Sequence, residues 1–176
     1  MFYLIPHRVT APDIPVLQAV GRAAYEPYYA RLWHPGGLEW YMHYCFNTPR
    51  LQKEIADPNI GYWLAMDPEM QTPAGMMKLV YTKPVHIKGP LNALFLEKIY
   101  LLPEYMGRSL GHQLIEWVME AAKNMGRSAV WLTTMKSGPV KAYERAGFEI
   151  CEEMPLDFGL LLETEREMWV MRRMIQ

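Results

Sequence analysis

The stretch from Leu94 to Gly111 constrains the fold of this chain more than any other segment. Its sequence, LFLEKIYLLPEYMGRSLG, begins as an apolar strand, stops at Pro103 and continues into a glycine-bearing loop. An amphipathic helix follows, with apolar side chains three and four residues apart at Leu110, Leu114, Ile115, Val118 and Ala122. The N–H groups of a helix's first turn have no intrahelical partners, and the helix dipole is positive there. This order therefore predicts an anion site for the phosphates of a nucleotide-type cofactor.

Composition indicates a globular protein with no charge bias toward nucleic acid or an anionic membrane. The chain has 176 residues, 51% of them hydrophobic and 21% charged, which suits one domain spanning residues 1–176. Its net charge is -1, and its basic residues are scattered, so neither nucleic acid nor membrane is an expected partner. No apolar run reaches the roughly 18 residues of a membrane span. The two cysteines lack CxxC spacing, which favours free thiols in a cytoplasmic protein and predicts no metal site.

Strand and helix signals follow one another along the chain and predict a single α/β domain with helices on both faces. A first helix begins at Asp13 as its cap, and Pro27 kinks or ends it. A third helix is predicted over 48–57, with Thr48 as its cap. The remaining helices are predicted over 38–46, 109–125 and 138–146. The strands are predicted over 2–9, 62–66, 75–81, 93–102, 129–134, 148–151 and 166–175.

Two segments resemble the signature motifs of the GNAT superfamily, the acetyl-CoA-dependent N-acetyltransferases. IYLLPEYMGRSLGHQLIEWV is similar to the family's strand, glycine loop and helix, and AVWLTTMKSGPVKAYERAGFEI is similar to its later strand, helix, Tyr and Gly-Phe. The resemblance is best over 92–151. It implies a GNAT-like α/β domain with a mixed, mostly antiparallel sheet of about six to seven strands and helices on both faces. The run from Leu96 to Tyr100 is similar to the spermidine and polyamine N-acetyltransferase branch.

The resemblance also implies a binding site for acetyl-CoA. The backbone of Ile99, Tyr100 and Leu101 would pair with the pantetheine amide, which requires a splay or bulge after Leu101. Where the family commonly has Asn, Lys136 would meet a cofactor phosphate. The pyrophosphate would be held by a loop of six residues, namely Met106, Gly107, Arg108, Ser109, Leu110 and Gly111. Ser109 stands at a position that is usually Gly, so its Cβ narrows the approach and restricts φ.

Tyr143 and Glu97 are the predicted catalytic residues for direct attack by an amine in a ternary complex. The Tyr143 phenol would protonate the departing thiolate; the structural alternative is a Tyr packed beside Phe148. Glu97 would act as the base, directly or through water, unless Lys98 merely neutralises it. Strand alternation places Glu97 on the same side as Ile99.

The acceptor is expected to be a small-molecule or peptide amine. Aromatic faces that favour a cation are concentrated between residues 25 and 46, at Tyr25, Tyr28, Tyr29, Trp33, His34, Trp40, Tyr41, His43 and Tyr44. Glu26 and Glu39 would add negative charge to such a pocket. The alternative for the aromatic residues is packing against the sheet or a homodimer contact, and the alternative for the two glutamates is a solvated surface. Polyamine, amino acid, protein N-terminus, lysine and aminoglycoside all stay open as acceptors.

Two other functions fit the same motifs. One is a GNAT-fold protein that binds a CoA and acts as a sensor or regulator. The departures at Ser109, at Lys136 and at Met106, where the family usually has Arg or Gln, favour this function. The other is an unrelated α/β module that binds ATP or NAD at the helix terminus, although the chain has no P-loop Lys and no intact GxGxxG. Selective binding of CoA distinguishes these possibilities.

Overall fold

The computed structural model describes residues 3–83 and 91–176, so residue 2 of the first predicted strand lies outside the described residues. Seven strands form one sheet in the order β1-β2-β3-β4-β5-β7-β6. Every pair is antiparallel except β4 and β5, which run parallel. The elements are β1 (Ile5–Arg8), α1 (Ile14–Tyr29), α2 (Gly37–Phe46), α3 (Thr48–Ala56), β2 (Ile60–Asp67), β3 (Thr72–Val80), β4 (Ala93–Leu101), α4 (Leu110–Asn124), β5 (Ala129–Met135), α5 (Val140–Arg145), β6 (Glu149–Pro155) and β7 (Glu167–Met174). The predicted fold class is confirmed.

The helices bury their apolar stripes against opposite faces of the sheet. On one face, Leu114 and Val118 of α4 pack in a cluster with Leu94 of β4. On the other face, Leu17 of α1 packs with Tyr62 of β2. The spacing of apolar residues in α4 is the reason that this helix lies flat on the sheet with its polar side outward. In the described part of the chain, no helix is both long and apolar enough to cross a membrane.

Local chemistry shifts three predicted helix features. Asn47, rather than Thr48, caps α3, because its side chain accepts a hydrogen bond from the Arg50 N–H at 2.9 Å. Asp13 stands at the cap of α1, but its carboxylate accepts from the backbone N–H and the hydroxyl of Thr10, each at 2.8 Å. Pro27 lies inside α1, which continues to Tyr29.

The sheet divides at β4, and this division positions the site. Pairing between β4 and β5 ends at Leu96 and Leu132, although both strands continue. On its other edge, β4 stays paired with β3 as far as Leu101. The predicted splay after Leu101 therefore begins earlier, next to a bulge at Glu97, where the pairing with β3 passes from Lys98 directly to Leu96. A bulge adds twist to a strand, and here it accompanies the separation from β5.

Candidate active site

A groove of about 690 Å³ opens where β4 and β5 separate. It lies between the end of β4, the loop that begins α4, the end of α1 and the start of α5. All the predicted cofactor residues except Arg108 and Lys136 line it, namely Ile99, Tyr100, Leu101, Met106, Gly107, Ser109, Leu110 and Gly111. The structure thus brings most of that predicted set together along one surface.

The loop before α4 contains two residues in the left-handed region, on either side of Arg108. Gly107 has φ 75° and Ser109 has φ 59°. A Cβ added to Gly107 would meet no atom within 4 Å, so open space adjoins the loop. Left-handed residues in a turn form concave sets of backbone N–H groups that bind anions. Ser109 thus has a left-handed backbone, a conformation that glycine adopts at a lower cost in free energy than a residue with a Cβ does.

Two predicted phosphate ligands, Arg108 and Lys136, do not line the groove, and two arginines that were not predicted do. The Lys136 ammonium bonds Glu153 at 2.9 Å and Glu167 at 2.6 Å, so it links the ends of β5, β6 and β7. Arg31 and Arg145 line the groove instead, whereas the exposed Arg108 does not. Arg145 follows Tyr143 by two residues in α5, a proximity that could have indicated it. Arg31 reaches the groove only through tertiary packing, for which the sequence carries no local signal.

A second cavity, the aromatic cavity, adjoins the groove and has a volume of about 370 Å³. Its aromatic walls come from α1, α2, β4 and the segment after β6, and include Tyr25, Tyr29, Trp33, Tyr41, Tyr44, Tyr100 and Phe158. The Tyr25 and Tyr100 rings meet edge to face at 5.6 Å. Much of the predicted aromatic concentration is thus brought together around one space of ligand size.

Other members of the predicted acceptor set lie outside the aromatic cavity. Tyr28 lines the groove, and Trp40 stacks on Tyr44 with ring centroids 5.1 Å apart. Glu26 and Glu39 both pair with the Arg22 guanidinium on the surface. These two carboxylates therefore do not supply the negative charge that was expected in the pocket.

Tyr143 lies at the junction of the two spaces. The groove and the aromatic cavity share four lining residues, Tyr29, Ile99, Tyr100 and Tyr143. The Tyr143 ring also packs edge to face on Phe148, with centroids 6.1 Å apart, so the packing alternative is met as well. Burial raises the pKa of the Tyr143 phenol above its ordinary value, which keeps the proton on this oxygen throughout the neutral range.

Glu97 lies at the base of the aromatic cavity between two lysines. Its Oε1 is 2.9 Å from the Lys78 Nζ and 3.0 Å from the Lys98 Nζ. Lys78 also bonds Glu54 at 2.9 Å. The predicted alternation placed Glu97 beside Ile99, but the bulge reverses this: Leu96 and Ile99 both face the α4 side, and Glu97 faces the aromatic cavity.

The two lysines determine the protonation of Glu97. Burial raises the pKa of this carboxyl, but Lys98 and Lys78 outweigh burial and lower the pKa to about 2. Burial likewise lowers the pKa of Lys98, and the negative Glu97 more than reverses that, so Lys98 is charged. A carboxylate with such a low pKa accepts protons poorly, which argues against its predicted role as a base.

Comparisons with known proteins agree with this geometry. Residues 22–148 match the Acetyltransferase (GNAT) family. An uncharacterised N-acetyltransferase in the pepI 3' region of Lactobacillus delbrueckii subsp. lactis is 29% identical over 126 residues, which is 71% of each chain. The crystal structure of PaiA N-acetyltransferase from Thermoplasma acidophilum, in complex with coenzyme A, is similar with a TM-score of 0.76 and 19% identity, over 97% of this chain and 98% of that one.

A spermidine/spermine N-acetyltransferase, SpeG from Vibrio cholerae, has the same fold. Its TM-score is 0.67 at 15% identity, over 98% of this chain and 92% of that one. At such identities the similarity to these two structures concerns the fold alone. The family match over residues 22–148 includes the β4 to α4 loop and Tyr143. With its split sheet, glycine loop and matched segment from residue 22 to residue 148, this chain belongs to the GNAT family of acetyltransferases.

Proposed function

We propose that this protein is an N-acetyltransferase that transfers the acetyl group of acetyl-CoA to a primary amine by direct attack in a ternary complex. One observation carries the proposal: the groove at the split sheet and the aromatic cavity meet at Tyr143. Two substrates bound in these two spaces would have their reacting ends side by side. Holding both reactants together in this way lowers the entropic barrier to their reaction.

The groove has the features that acetyl-CoA requires. The edge of β4 from Ile99 to Leu101 has no ladder with β5, so its backbone groups are available to pair with the pantetheine amides. The loop from Met106 to Gly111 would hold the pyrophosphate, and Arg31 and Arg145 would add charge-assisted contacts. When bound, acetyl-CoA supplies an acetyl group activated as a thioester. The coenzyme A complex of the Thermoplasma PaiA enzyme supports this assignment by fold.

Tyr143 is proposed as the general acid. The amine nitrogen attacks the carbonyl carbon, a C–N bond forms, and the C–S bond breaks with its electron pair on sulfur. The Tyr143 hydroxyl then gives its proton to that sulfur, and the phenolate regains a proton from water. Cys151 lines neither space, and Cys45 lines the aromatic cavity but not the groove. Neither thiol therefore lies where the two spaces meet, which favours direct attack over a cysteine-bound intermediate.

We propose that the amine's excess proton leaves through water rather than to Glu97. With a pKa of about 2, Glu97 is ionised at neutral pH but is a weak base. Its contacts with Lys78 and Lys98 support a role in balancing charge within the aromatic cavity.

A second function, a sensor that binds CoA without efficient transfer, is favoured by Ser109 and Lys136. Ser109 occupies a backbone conformation that glycine adopts with less strain, and Lys136 is engaged in ion pairs outside the groove. Both features weaken the match to an efficient acetyltransferase without closing the groove.

Calorimetric titration with acetyl-CoA, CoA, ATP and NAD in parallel tests the proposal, followed by release of free CoA thiol with a panel of amines. We expect selective binding of acetyl-CoA and CoA, and thiol release with at least one amine. Binding without release for any amine would favour the sensor, and a preference for ATP or NAD would refute both functions.

A matched pair of glycine variants locates the bound cofactor. Gly107→Asp places a carboxylate in the loop that would hold the pyrophosphate, and it should abolish binding by repulsion. Gly36→Asp is the control: Gly36 has φ 82° and open space around its Cα, as Gly107 does, but it is the N-cap of α2 and does not line the groove. Equal loss of binding in both variants would contradict the assigned site.

A further inference from the structure

The ionisable side chains that line the aromatic cavity carry a surplus of positive charge. The basic side chains are those of Arg50, Lys83 and Lys98, and the acidic side chain is that of Glu97. The tyrosines in the walls do not add negative charge, because burial raises the pKa of residues such as Tyr25 and Tyr100. Three basic side chains therefore face one acidic side chain around this space, although burial lowers the pKa of Lys83.

The groups behind the cavity wall do not change that balance. Glu54 and Lys78 form a pair at 2.9 Å, and Glu54 also accepts hydrogen bonds from the Tyr62 hydroxyl and, at 2.9 Å, from the Arg50 Nε. Glu97 is shared between Lys78 and Lys98. Both carboxylates are thus already engaged by protein groups. Residues 84–90, which lie outside the described part, read PVHIKGP and contain no acidic residue.

Lys98 is the cation best placed to meet a ligand. It is 8% exposed, lines the cavity, and among the described residues its ammonium bonds Glu97 at 3.0 Å. An ammonium has three N–H donors, and this one shares its carboxylate partner with Lys78. A buried charge with incomplete compensation is costly, and an anionic ligand would relieve that cost.

We infer, on the basis of the proposed function, that the acceptor is a primary amine whose other end carries an acidic group, held by Lys98, and not a polyamine. The aromatic walls would enclose the apolar part of such a molecule, and a volume of about 370 Å³ suits one small molecule. A polyamine would bring a second cation into a poorly solvated space that already has surplus positive charge.

Two observations on this chain distinguish it from a polyamine site. The acidic residues that the sequence offered for binding a cation, Glu26 and Glu39, bind Arg22 on the surface. The carboxylate that does line the cavity, Glu97, is neutralised by two lysines. The likeness to spermidine acetyltransferases at 15% identity concerns the fold and not these side chains.

Acceptors of matched length test the inference with the native protein at saturating acetyl-CoA. The first set is 4-aminobutyrate, 1-aminobutane and 1,4-diaminobutane, which end in a carboxylate, a methyl and an ammonium. The second is 4-(aminomethyl)benzoate and 4-methylbenzylamine, aromatic amines whose far ends are a carboxylate and a methyl, and O-phosphoethanolamine beside β-alanine separates phosphate from carboxylate. Within a matched set, we expect kcat/KM to be at least about tenfold higher for the acidic amine.

The Lys98→Met variant identifies the residue responsible. It should reduce the preference for acidic amines toward unity while CoA affinity stays unchanged, and Glu97 keeps Lys78 as its partner. Lys53→Met, on the exposed side of α3, is the matched control and should keep the preference. If Lys98→Met does not fold, Lys98→Gln removes the same charge with a polar side chain and tests the same role.

The outcomes separate this inference from the proposed function. Faster acetylation of 1,4-diaminobutane or the neutral amines would overturn the acidic acceptor and leave the acetyltransferase intact. Acetylation of no amine by a protein that binds acetyl-CoA would overturn both. A preference for acidic amines that survives Lys98→Met would overturn the role of Lys98.

Discussion

The Tyr105 hydroxyl donates a hydrogen bond to the Asp67 Oδ2 at 2.9 Å, and so joins the loop before α4 to the end of β2. Asp67 is buried, and its other oxygen accepts from the N–H groups of Glu69 at 2.9 Å and Met70 at 3.1 Å. The turn between β2 and β3 and the loop that begins α4 therefore share one carboxylate. This arrangement anchors the start of the proposed phosphate loop to the β2–β3 turn.

Tyr105→Phe should weaken cofactor binding without touching the cofactor. Loss of this hydrogen bond frees the loop, and we expect the Kd for CoA to rise about fivefold. The melting temperature should fall by no more than a few degrees, which is the order of the hydrogen bonding that the hydroxyl supplies. Calorimetric titration with CoA measures the first effect, and Tyr3→Phe, at an exposed position, is the control. An unchanged Kd would show that the loop keeps its shape without Asp67.

Tyr143→Phe should lower kcat by about a hundredfold while the Kd for CoA stays within twofold, roughly the cost of losing a general acid. The ring still packs on Phe148, so the fold should not change. Steady-state kinetics and calorimetry on the same preparation separate the two effects. An unchanged kcat would remove Tyr143 from the mechanism.

The pH profile provides an independent check on Tyr143. Its pKa is raised by burial, so the phenol is protonated in the folded protein well above the pH at which an ordinary Tyr ionises. Activity should rise with pH as the acceptor amine loses its proton, and it should not fall again below about pH 10 through ionisation of this phenol. A descending limb between pH 7 and 9 that disappears in Tyr143→Phe would contradict the raised pKa of Tyr143.

Glu97 should make folding stability depend on acidity. Its pKa is lowered from 4.5 to about 2 in the folded state, so its contribution is fully present above pH 4.5 and is lost as the pH falls toward 2. Since the side chain is 23% exposed, the loss is at most about 3 kcal/mol. Urea unfolding between pH 5 and 2 should show this slope in the native protein. Glu97→Gln should flatten it, and an equal slope in both would refute the depressed pKa.

Ser109→Gly should stabilise the protein slightly. A left-handed backbone costs a non-glycine residue about 1 to 2 kcal/mol, and glycine's greater freedom when unfolded costs about 0.5 to 1 kcal/mol. The net gain should be roughly 0.5 kcal/mol in the free energy of unfolding, with CoA binding equal or tighter. Denaturant titration measures the first quantity. A loss of stability would mean that the Ser109 side chain makes a contact that favours the folded loop.

Arg145 and Lys136 should differ in their effect on cofactor affinity. Arg145→Gln removes a cation from the groove and should raise the Kd for CoA about fivefold, more at low salt than at high salt. Lys136→Gln should leave this Kd unchanged, because Lys136 binds Glu153 and Glu167 outside the groove. The reverse result would restore the role that the sequence motif implied for Lys136.

Regular periodicity made the fold predictable, and irregular backbone limited the prediction of the site. The apolar spacing from Leu110 to Ala122 is a local signal, because it defines an amphipathic helix whatever the position of the sheet. The helix α4 forms where it is predicted. The bulge at Glu97 is different, because it depends on how β3 pairs with β4, and a single extra residue reverses the face of every later side chain. For this reason Glu97 was assigned to the wrong face.

Side chains that reach the site through long-range packing could not be found from the sequence either. Arg31 lines the groove because α1 crosses the sheet near the end of β4. The local sequence of either segment does not predict this contact. The motif position of Lys136 indicates a phosphate ligand. In the structure, however, the ends of β5, β6 and β7 lie together and pair Lys136 with Glu153 and Glu167. Electrostatic partners of this kind depend on the fold and not on local sequence.

The separation of β4 from β5 beyond Leu96 leaves backbone groups at the centre of the sheet that water must satisfy when the groove is empty. A ligand that pairs with this edge replaces that water and adds its binding free energy to the stability of the folded chain. Hydrogen exchange at the unpaired ends of β4 and β5 should therefore be slower when the groove is filled than when it is empty.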